Sequence, residues 1–306
     1  AFRLDKEAAD RAIGERLAQP LGLQLEGAAF GLSEVVDENM AAAARAHAAE
    51  FGMDLGRRDM VAFGGAAPLH AARLGEKLGV RRIVVPSAAG VGSAVGFLLA
   101  PVAYEVVRSR HQDLSAFEPE TINRLMEAMR AESLAVVRLG TDREDLVETR
   151  HAYMRYVGQG HEIAVVLPVE TYGPEHAEVF REAFERAYLR LYGRIMEGME
   201  IEALSWTLTL QAPADTAVVD RGETPPAGAM PEPIGRQRLF DPESEAPREA
   251  PVFWRDALPA GAPLAGPALI TEAQTTTVVT SGYRAVVDER GNIVMTHRDH
   301  AAEQQP

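Results

Sequence analysis

Met60-Val61-Ala62-Phe63-Gly64-Gly65-Ala66-Ala67-Pro68-Leu69-His70 reads as a short apolar strand, a glycine turn and the start of an amphipathic helix running through Leu74 to Leu78. Glycines at a strand-to-helix junction let backbone N–H groups approach a ligand closely, and the helix N-terminus adds partial positive charge. Gly64, Gly65, Ala66, Ala67, Pro68 and His70 are therefore candidate nucleotide-binding residues. Paired glycines also serve wherever a strand simply turns, so a structural role stays open beside the binding one.

Downstream, Gly79-Val80-Arg81-Arg82-Ile83-Val84-Val85-Pro86-Ser87 holds a second apolar strand over Arg82 to Val85. Ala88-Ala89-Gly90-Val91-Gly92-Ser93 is a second glycine-rich turn before a short helix ending near Leu99, with Gly90 and Ser93 as its candidates. Upstream, a charged helix over Leu4 to Leu17 stops at Pro20 and Gly22. Ser33 is placed to cap a helix running to Phe51, with Val36, Met40 and Ala44 on its apolar face. Alternating helices and short apolar strands argue for an α/β layer to about residue 110. A helix from Pro119 to Leu139 follows, with Ile122, Leu125, Met126 and Met129 on one face.

From Val147 to Tyr156 the pattern alternates as in a half-buried strand, and His161 to Pro168 returns across Gly158-Gln159-Gly160 as a hairpin. The next helix, Pro174 to Leu191, presents Val179, Phe180, Phe184, Tyr188 and Leu191 to a core. A strand over Ile201 to Leu210, a Pro/Gly/acid-rich surface loop over Ala212 to Pro233, and short strands from Arg236 to Thr296 complete the pattern.

At 306 residues the chain has room for two domains and a sizeable core. Its 31 Lys and Arg against 45 Asp and Glu leave a formal charge of −14, which argues against a nucleic-acid partner. The lack of cysteine removes disulfides and thiolate chemistry and suits a cytoplasmic protein. The apolar run Val91 to Val107 is broken by Gly96, Pro101 and Glu105, so no membrane span is expected, and Ala1 to Lys6 lacks the apolar core of a signal peptide.

The run from Phe63 to Gly96 resembles the hydantoinase A/oxoprolinase family, in the half that carries its second actin-like subdomain. Tyr156-Val157-Gly158-Gln159, Tyr192-Gly193 and Gly266-Pro267-Ala268-Leu269-Ile270-Thr271-Glu272 look like further landmarks of that family, in order. So do the Thr275 to Val279 strand and Val287-Asp288 with Gly291-Asn292. The resemblance implies an α/β, actin-like (ribonuclease-H-like) subdomain over residues 1–115, a linking helix over 116–145, and a β-rich α+β C-terminal domain over 146–306.

That family includes 5-oxoprolinase, N-methylhydantoinase and the ATP-dependent acetone and acetophenone carboxylases. Its ATP site is built across two subdomains, the first supplying an Asp-containing glycine turn for Mg²⁺ and phosphate. No Asp-x-Gly-Gly-Thr-like stretch occurs here, and Ala67 stands where the family has a third glycine. The resemblance therefore implies ATP and Mg²⁺ at the level of a complex, leaves binding by this chain open, and implies no metal held by the chain itself.

Two accounts fit, a natural short subunit and a fragment of a longer protein. The first points to a multi-subunit ketone carboxylase of the acetone or acetophenone type, in which ATP and bicarbonate give a β-keto acid. Its partners would be a longer hydantoinase-A-like subunit and a hydantoinase-B-like one. The alternatives are a structural subunit without nucleotide binding, and a C-terminal piece of an ATP-dependent hydantoinase or 5-oxoprolinase that opens a cyclic amide. Catalytic residues are not assigned under any of these.

His70 reads either as a nucleotide contact or as a histidine hydrogen-bonded within packing. Gln159 and Glu162 are candidates for an interface or substrate surface, or for an ordinary polar turn. His151 and His161 could face each other across the hairpin, but strand histidines at such spacing are more often surface residues than metal ligands. Ser93 lacks the His and Asp neighbours of a nucleophile. The apolar surface near Val61 to Phe63 and Val91 to Leu99 is expected to be covered by a partner.

Overall fold

A computed structural model describes residues 5–213 and 229–299. The chain opens with α1 (Lys6–Ile13), a π-helical turn over Gly14–Ala18, α2 (Gln19–Leu21) and α3 (Leu25–Glu50). Then come β1 (Asp59–Val61), α4 (Ala67–Leu78), β2 (Arg82–Val85) and α5 (Gly92–Leu99). The middle holds β3 (Ala103–Asp113), α6 (Pro119–Val137), β4 (Val147–Tyr156), β5 (Ile163–Leu167), α7 (His176–Tyr192) and β6 (Ile201–Gln211). The remainder is strand: β7 (Gly235–Asp241), β8 (Ala246–Trp254), β9 (Pro263–Ala265), β10 (Ala268–Thr271), β11 (Thr276–Val279), β12 (Tyr283–Val287) and β13 (Ile293–His297). Among the described residues no helix is long and apolar enough to cross a membrane. Most of the expected 212–233 loop lies outside the described residues.

Two compact units form, and they do not follow the consecutive blocks 1–115, 116–145 and 146–306. The first combines residues 1–98 with 219–306, and the second is the continuous run 99–218. In the first unit, β1 and β2 are parallel, and β13 then pairs antiparallel with β2, giving the order β1-β2-β13-β12-β9. A second sheet in this unit has the order β11-β10-β8-β7. Ile83, Val85, Ile270, Tyr283, Ile293 and Met295 are buried in a shared core. Under α4 the backbone approaches closely: a Cβ on Gly75 would lie 2.5 Å from the Tyr283 hydroxyl, which donates to the Val80 carbonyl at 2.6 Å.

The helix expected from Ser33 begins instead at Leu25, so Ser33 lies inside it. Tertiary contacts override the weak helix propensity of Gly27 and Gly31. Phe30 stacks on Phe240 of β7 at 4.3 Å between centroids, and Glu26 lies 3.4 Å from Arg238. The expected apolar face is also corrected, because Ala28, Asp37, Ala41 and Ala48 are buried while Val35 and Val36 are exposed.

Charge determines which side faces inward. Arg73 of α4 holds both carboxylate oxygens of Glu34, through Nε at 2.6 Å and a terminal nitrogen at 2.8 Å. Lys77 bridges Glu34 at 3.0 Å and Glu38 at 3.2 Å. His70 Nδ1 lies 2.7 Å from Asp37 Oδ1. The acids recur at helical spacing on α3 and their partners recur one turn apart on α4, so the two helices interlock along one edge. The Arg73 hydrogen bonds hold the Glu34 carboxyl below the usual carboxylate range, and Lys77 adds to that against the opposing effect of burial.

The second unit is an antiparallel sheet of order β3-β6-β4-β5 with α6 and α7 packed on it. Trp206, Tyr156, Phe180, Phe184, Met126, Met129 and Met154 form its interior. Helix α7 buries His176, Phe180, Phe184 and Tyr188, whereas Val179 and Leu191 are exposed, which narrows the face read from the sequence. Register places Val166, and not His161, opposite His151.

Near the loops that leave β1 and β2, Arg255 is buried and ion-paired with the part-buried Glu272. Its guanidinium donates to Glu272 Oε1 at 2.8 Å, to the Val85 carbonyl at 3.1 Å and to the Gly291 carbonyl at 2.8 Å. One side chain thus ties the end of β2 to two distant turns. Removing one partner strands the other charge, so Arg255→Met should cost about 3–5 kcal/mol. The double variant Arg255→Met/Glu272→Leu should cost less than the sum of the single changes, as read from urea unfolding of all four proteins. Additive losses would refute the coupling.

Glu34 generates a pH prediction. Its native carboxyl titrates below the unfolded value of about 4.3, so its contribution is complete above that pH and disappears as pH falls through the native value. Glu34→Gln should therefore lower neutral stability by about 1 kcal/mol and flatten the stability loss between about pH 5 and 3. Unchanged acid dependence in thermal melts would contradict this.

Candidate functional site

Two loops emerge at the carboxyl ends of the adjacent parallel strands β1 and β2, where open α/β sheets place ligands. The first, residues 62–66, enters α4, and the second, 86–91, enters α5. Ala62 and Val85 are buried where the two strands end, while Val61 is exposed and Val84 half-buried, so the strands are covered only in part. The two loops are fastened to each other by the Gly64 N–H, which donates to the Ala89 carbonyl at 2.7 Å. Gly64 takes φ +111°, a conformation that side chains other than glycine rarely adopt.

A third segment, the turn between β10 and β11, closes on both loops. Thr275 Oγ1 donates to the Gly65 carbonyl at 2.8 Å. A Cβ on Gly90 would lie 2.5 Å from the Gln274 Cβ and 3.0 Å from its carbonyl carbon, so the absence of a side chain permits this contact. The turn itself is closed by the Glu272 N–H on the Thr275 carbonyl at 3.0 Å, and Glu272 is the ion-pair partner of the buried Arg255. Gly64 and Gly90 therefore have structural duties that account for their being glycine, whereas a Cβ on Gly65 would meet nothing closer than the Gln274 carbonyl oxygen at 3.9 Å.

The outer surface of the first loop consists of Phe63, Gly65, Ala66 and Leu69, all exposed. Pro68 is buried, and the Ala67 methyl packs against the interior. Ala67 therefore directs its side chain toward the core, leaving Gly65 and Ala66 on the open side. Ala66 precedes α4 without a side-chain cap. Backbone donors at a helix start suit a phosphate or another anion. The loops contain no Asp or Glu in residues 62–66 or 86–91, so they offer backbone and no carboxylate for Mg²⁺.

His70 sits one turn into α4 and turns to α3, where Asp37 is buried at 2% exposure. Ser93 is exposed in the first turn of α5. Gln159 and Glu162 lie in the second unit. Gln159 Nε2 donates to the Tyr188 hydroxyl at 2.9 Å and lies 3.7 Å from Met196 Sδ, bracing the turn after β4, whereas Glu162 is half-exposed.

Sequence reasoning missed Asp37, which becomes the partner of His70 only where α3 packs beside α4. It also missed His111, Asp113 and Glu202, whose ligand atoms all lie within 4.8 Å of one another. The His-x-Asp spacing on a strand gives two ligands on one face, but Glu202 is about ninety residues away in sequence.

The chain has known relatives. The hydantoinase/oxoprolinase model matches residues 1–106, and the hydantoinase/oxoprolinase C-terminal domain matches residues 111–297. The chain is 25% identical to the caprolactamase subunit alpha of Pseudomonas jessenii, over 97% of this chain and 43% of that protein. It is 26% identical to the acetone carboxylase beta subunit of Xanthobacter autotrophicus, over 94% of this chain and 42% of that one. For the acetophenone carboxylase gamma subunit of Aromatoleum aromaticum the figures are 27%, 97% and 42%.

Two solved structures share the fold. A nucleotide-free acetone carboxylase chain matches with a TM-score of 0.70 at 22% identity, covering 97% of this chain and 43% of that one. The ATP-dependent caprolactamase of Pseudomonas jessenii matches with a TM-score of 0.73 at 24% identity, covering 97% and 44%. The chain thus spans less than half the length of these relatives. With both matched segments covering nearly all of its described residues, the chain belongs to the hydantoinase/oxoprolinase family.

Proposed function

We propose that the chain supplies the second, actin-like α/β half of an ATP site in a multi-subunit carboxylase that acts on a ketone of the acetone or acetophenone type. The observation that carries this reading is the pair of fastened loops after β1 and β2, with exposed backbone at the start of α4. Relatives named as acetone and acetophenone carboxylase subunits support it. ATP would lay its phosphates or sugar against Gly65 and Ala66. Mg²⁺ would take its carboxylates from elements outside these loops, which carry none. A longer hydantoinase-A-like subunit and a hydantoinase-B-like subunit are the proposed partners, in the cytoplasm.

Apolar surface around the loops supports the need for a partner. Val61 and Phe63 are 56% exposed and Phe97 and Leu98 more than 80% exposed, close together in sequence with Leu69 and Val91. A second reading, ATP-driven opening of a cyclic amide, is supported by the match to a caprolactamase subunit.

Assay of the native particle containing this chain separates the two. ATP hydrolysis that depends on bicarbonate and acetone or acetophenone supports the carboxylase, whereas hydrolysis that depends on a lactam or 5-oxoproline selects the amidase. No substrate-dependent hydrolysis with either class would sink both.

Ala66→Asp tests the loop itself. Ala66 is exposed, so the variant should keep its fold and stability. Its charge should nevertheless weaken ATP binding to the particle at least tenfold, about 1.4 kcal/mol, as measured by calorimetric titration. Unaltered affinity would remove the nucleotide from this loop.

A further inference from the structure

The sheet of the second unit carries a row of charge that its packing does not require. Strands β3, β6 and β4 lie side by side, and their register sets Asp113 opposite Glu202 and Glu202 opposite Arg155. Like charges directly opposite on paired strands repel. Glu202 is only 7% exposed, and a carboxylate in that position needs compensation. Arg155 supplies part of it, with Nε 2.8 Å from Glu202 Oε1. The other oxygen, Oε2, is directed to a different group.

That group is His111, carried to the spot by a break in register between Ser109 and Gln112. Its Nε2 lies 2.7 Å from Glu202 Oε2 and 3.5 Å from Asp113 Oδ1. Bulges of this kind re-aim side chains, and this one is supported from the core side. The buried Trp206 indole donates to the Arg110 carbonyl at 2.8 Å. The Gln112 amide donates to the Asp113 carbonyl at 2.9 Å and the Ala116 carbonyl at 2.8 Å, fixing the residue between the two ligand-type side chains. His111 and Asp113, two apart on a strand, consequently share one face.

We propose that His111 Nε2, Asp113 Oδ1 and Glu202 Oε2 form a binding site for a divalent first-row transition-metal ion. Their mutual spread of at most 4.8 Å is one that a single ion, with bonds of about 2.0–2.2 Å, can draw together through small side-chain rotations. One imidazole and two carboxylates suit Zn²⁺, Mn²⁺ or Co²⁺ in preference to the soft, thiolate-seeking ions. Arg155 holds the remaining Glu202 oxygen and so orients a ligand from outside the coordination sphere. The His111 and Asp113 side chains are about half exposed, at 55% and 48%, which leaves one side of the ion open to water or a substrate oxygen.

The test uses the full chain, stripped with a chelator and titrated with Co²⁺ followed by Zn²⁺ competition. One Co²⁺ per chain with a visible d–d band distinct from the aqueous ion is expected, displaced by Zn²⁺. His111→Ala and Asp113→Asn, both changes at part-exposed positions, should each weaken binding at least tenfold while circular dichroism stays native. His151→Ala and His161→Ala serve as controls and should leave affinity unchanged. An unperturbed Co²⁺ spectrum in the parent chain would overturn the proposal, as would equal affinity in the parent and both ligand variants. In that case the cluster is an ion-paired bulge and nothing more.

Discussion

Everything in the first unit depends on one antiparallel pairing, Ile293–His297 against Arg82–Val85. Two short strands, β1 and β2, cannot bury both faces on their own, and an isolated parallel pair is marginal. Once β13 lies beside β2, β12 and β9 extend the sheet, and the core formed by Ile83, Val85, Tyr283, Ile293 and Met295 becomes continuous. The loops after β1 and β2 acquire their shape only then, because the groups that hold them come from the same late segment. Thr275, Gln274, Arg255 and Asn292 all reach back across roughly 170 to 210 residues.

Features set by local chemistry were legible in the sequence. The strand over Arg82–Val85 and the strand over Val147–Tyr156 appear with the expected bounds, because β-branched runs and strict alternation are strong local signals. The glycine turn and the helix behind it follow from Gly64, Pro68 and the αL glycine, Gly79, that ends α4. What is not local was not legible. Nothing in Ile293–His297 states which strand it will pair with, and the structure returns this late segment to the sheet begun by β1 and β2.

The α3 face shows why periodicity alone misleads. Val35, Val36 and Met40 make a respectable apolar stripe, yet Glu34, Asp37 and Glu38 face the neighbour because α4 presents Arg73, His70 and Lys77. A hydrophobic count assigns burial to carbon and overlooks complementary charge at the same spacing. Of the candidate site residues, the structure groups Gly64, Gly65 and Gly90 around one turn and leaves Gln159 and Glu162 in the other unit. Ligand-type side chains separated as widely as Asp113 and Glu202 become neighbours only through strand order, which single-sequence patterns do not encode.

The discontinuous first unit has a consequence for synthesis. Residues 99–218 form a continuous unit whose strands and helices find their partners within that run. They can condense as soon as they leave the ribosome, since domains generally fold as units during elongation. The first unit must wait, with β1, β2 and α4 already made, until Ile293–His297 emerges to pair with Arg82–Val85. During that interval the unpaired edge of β2 and the apolar residues beside it are open to misassociation.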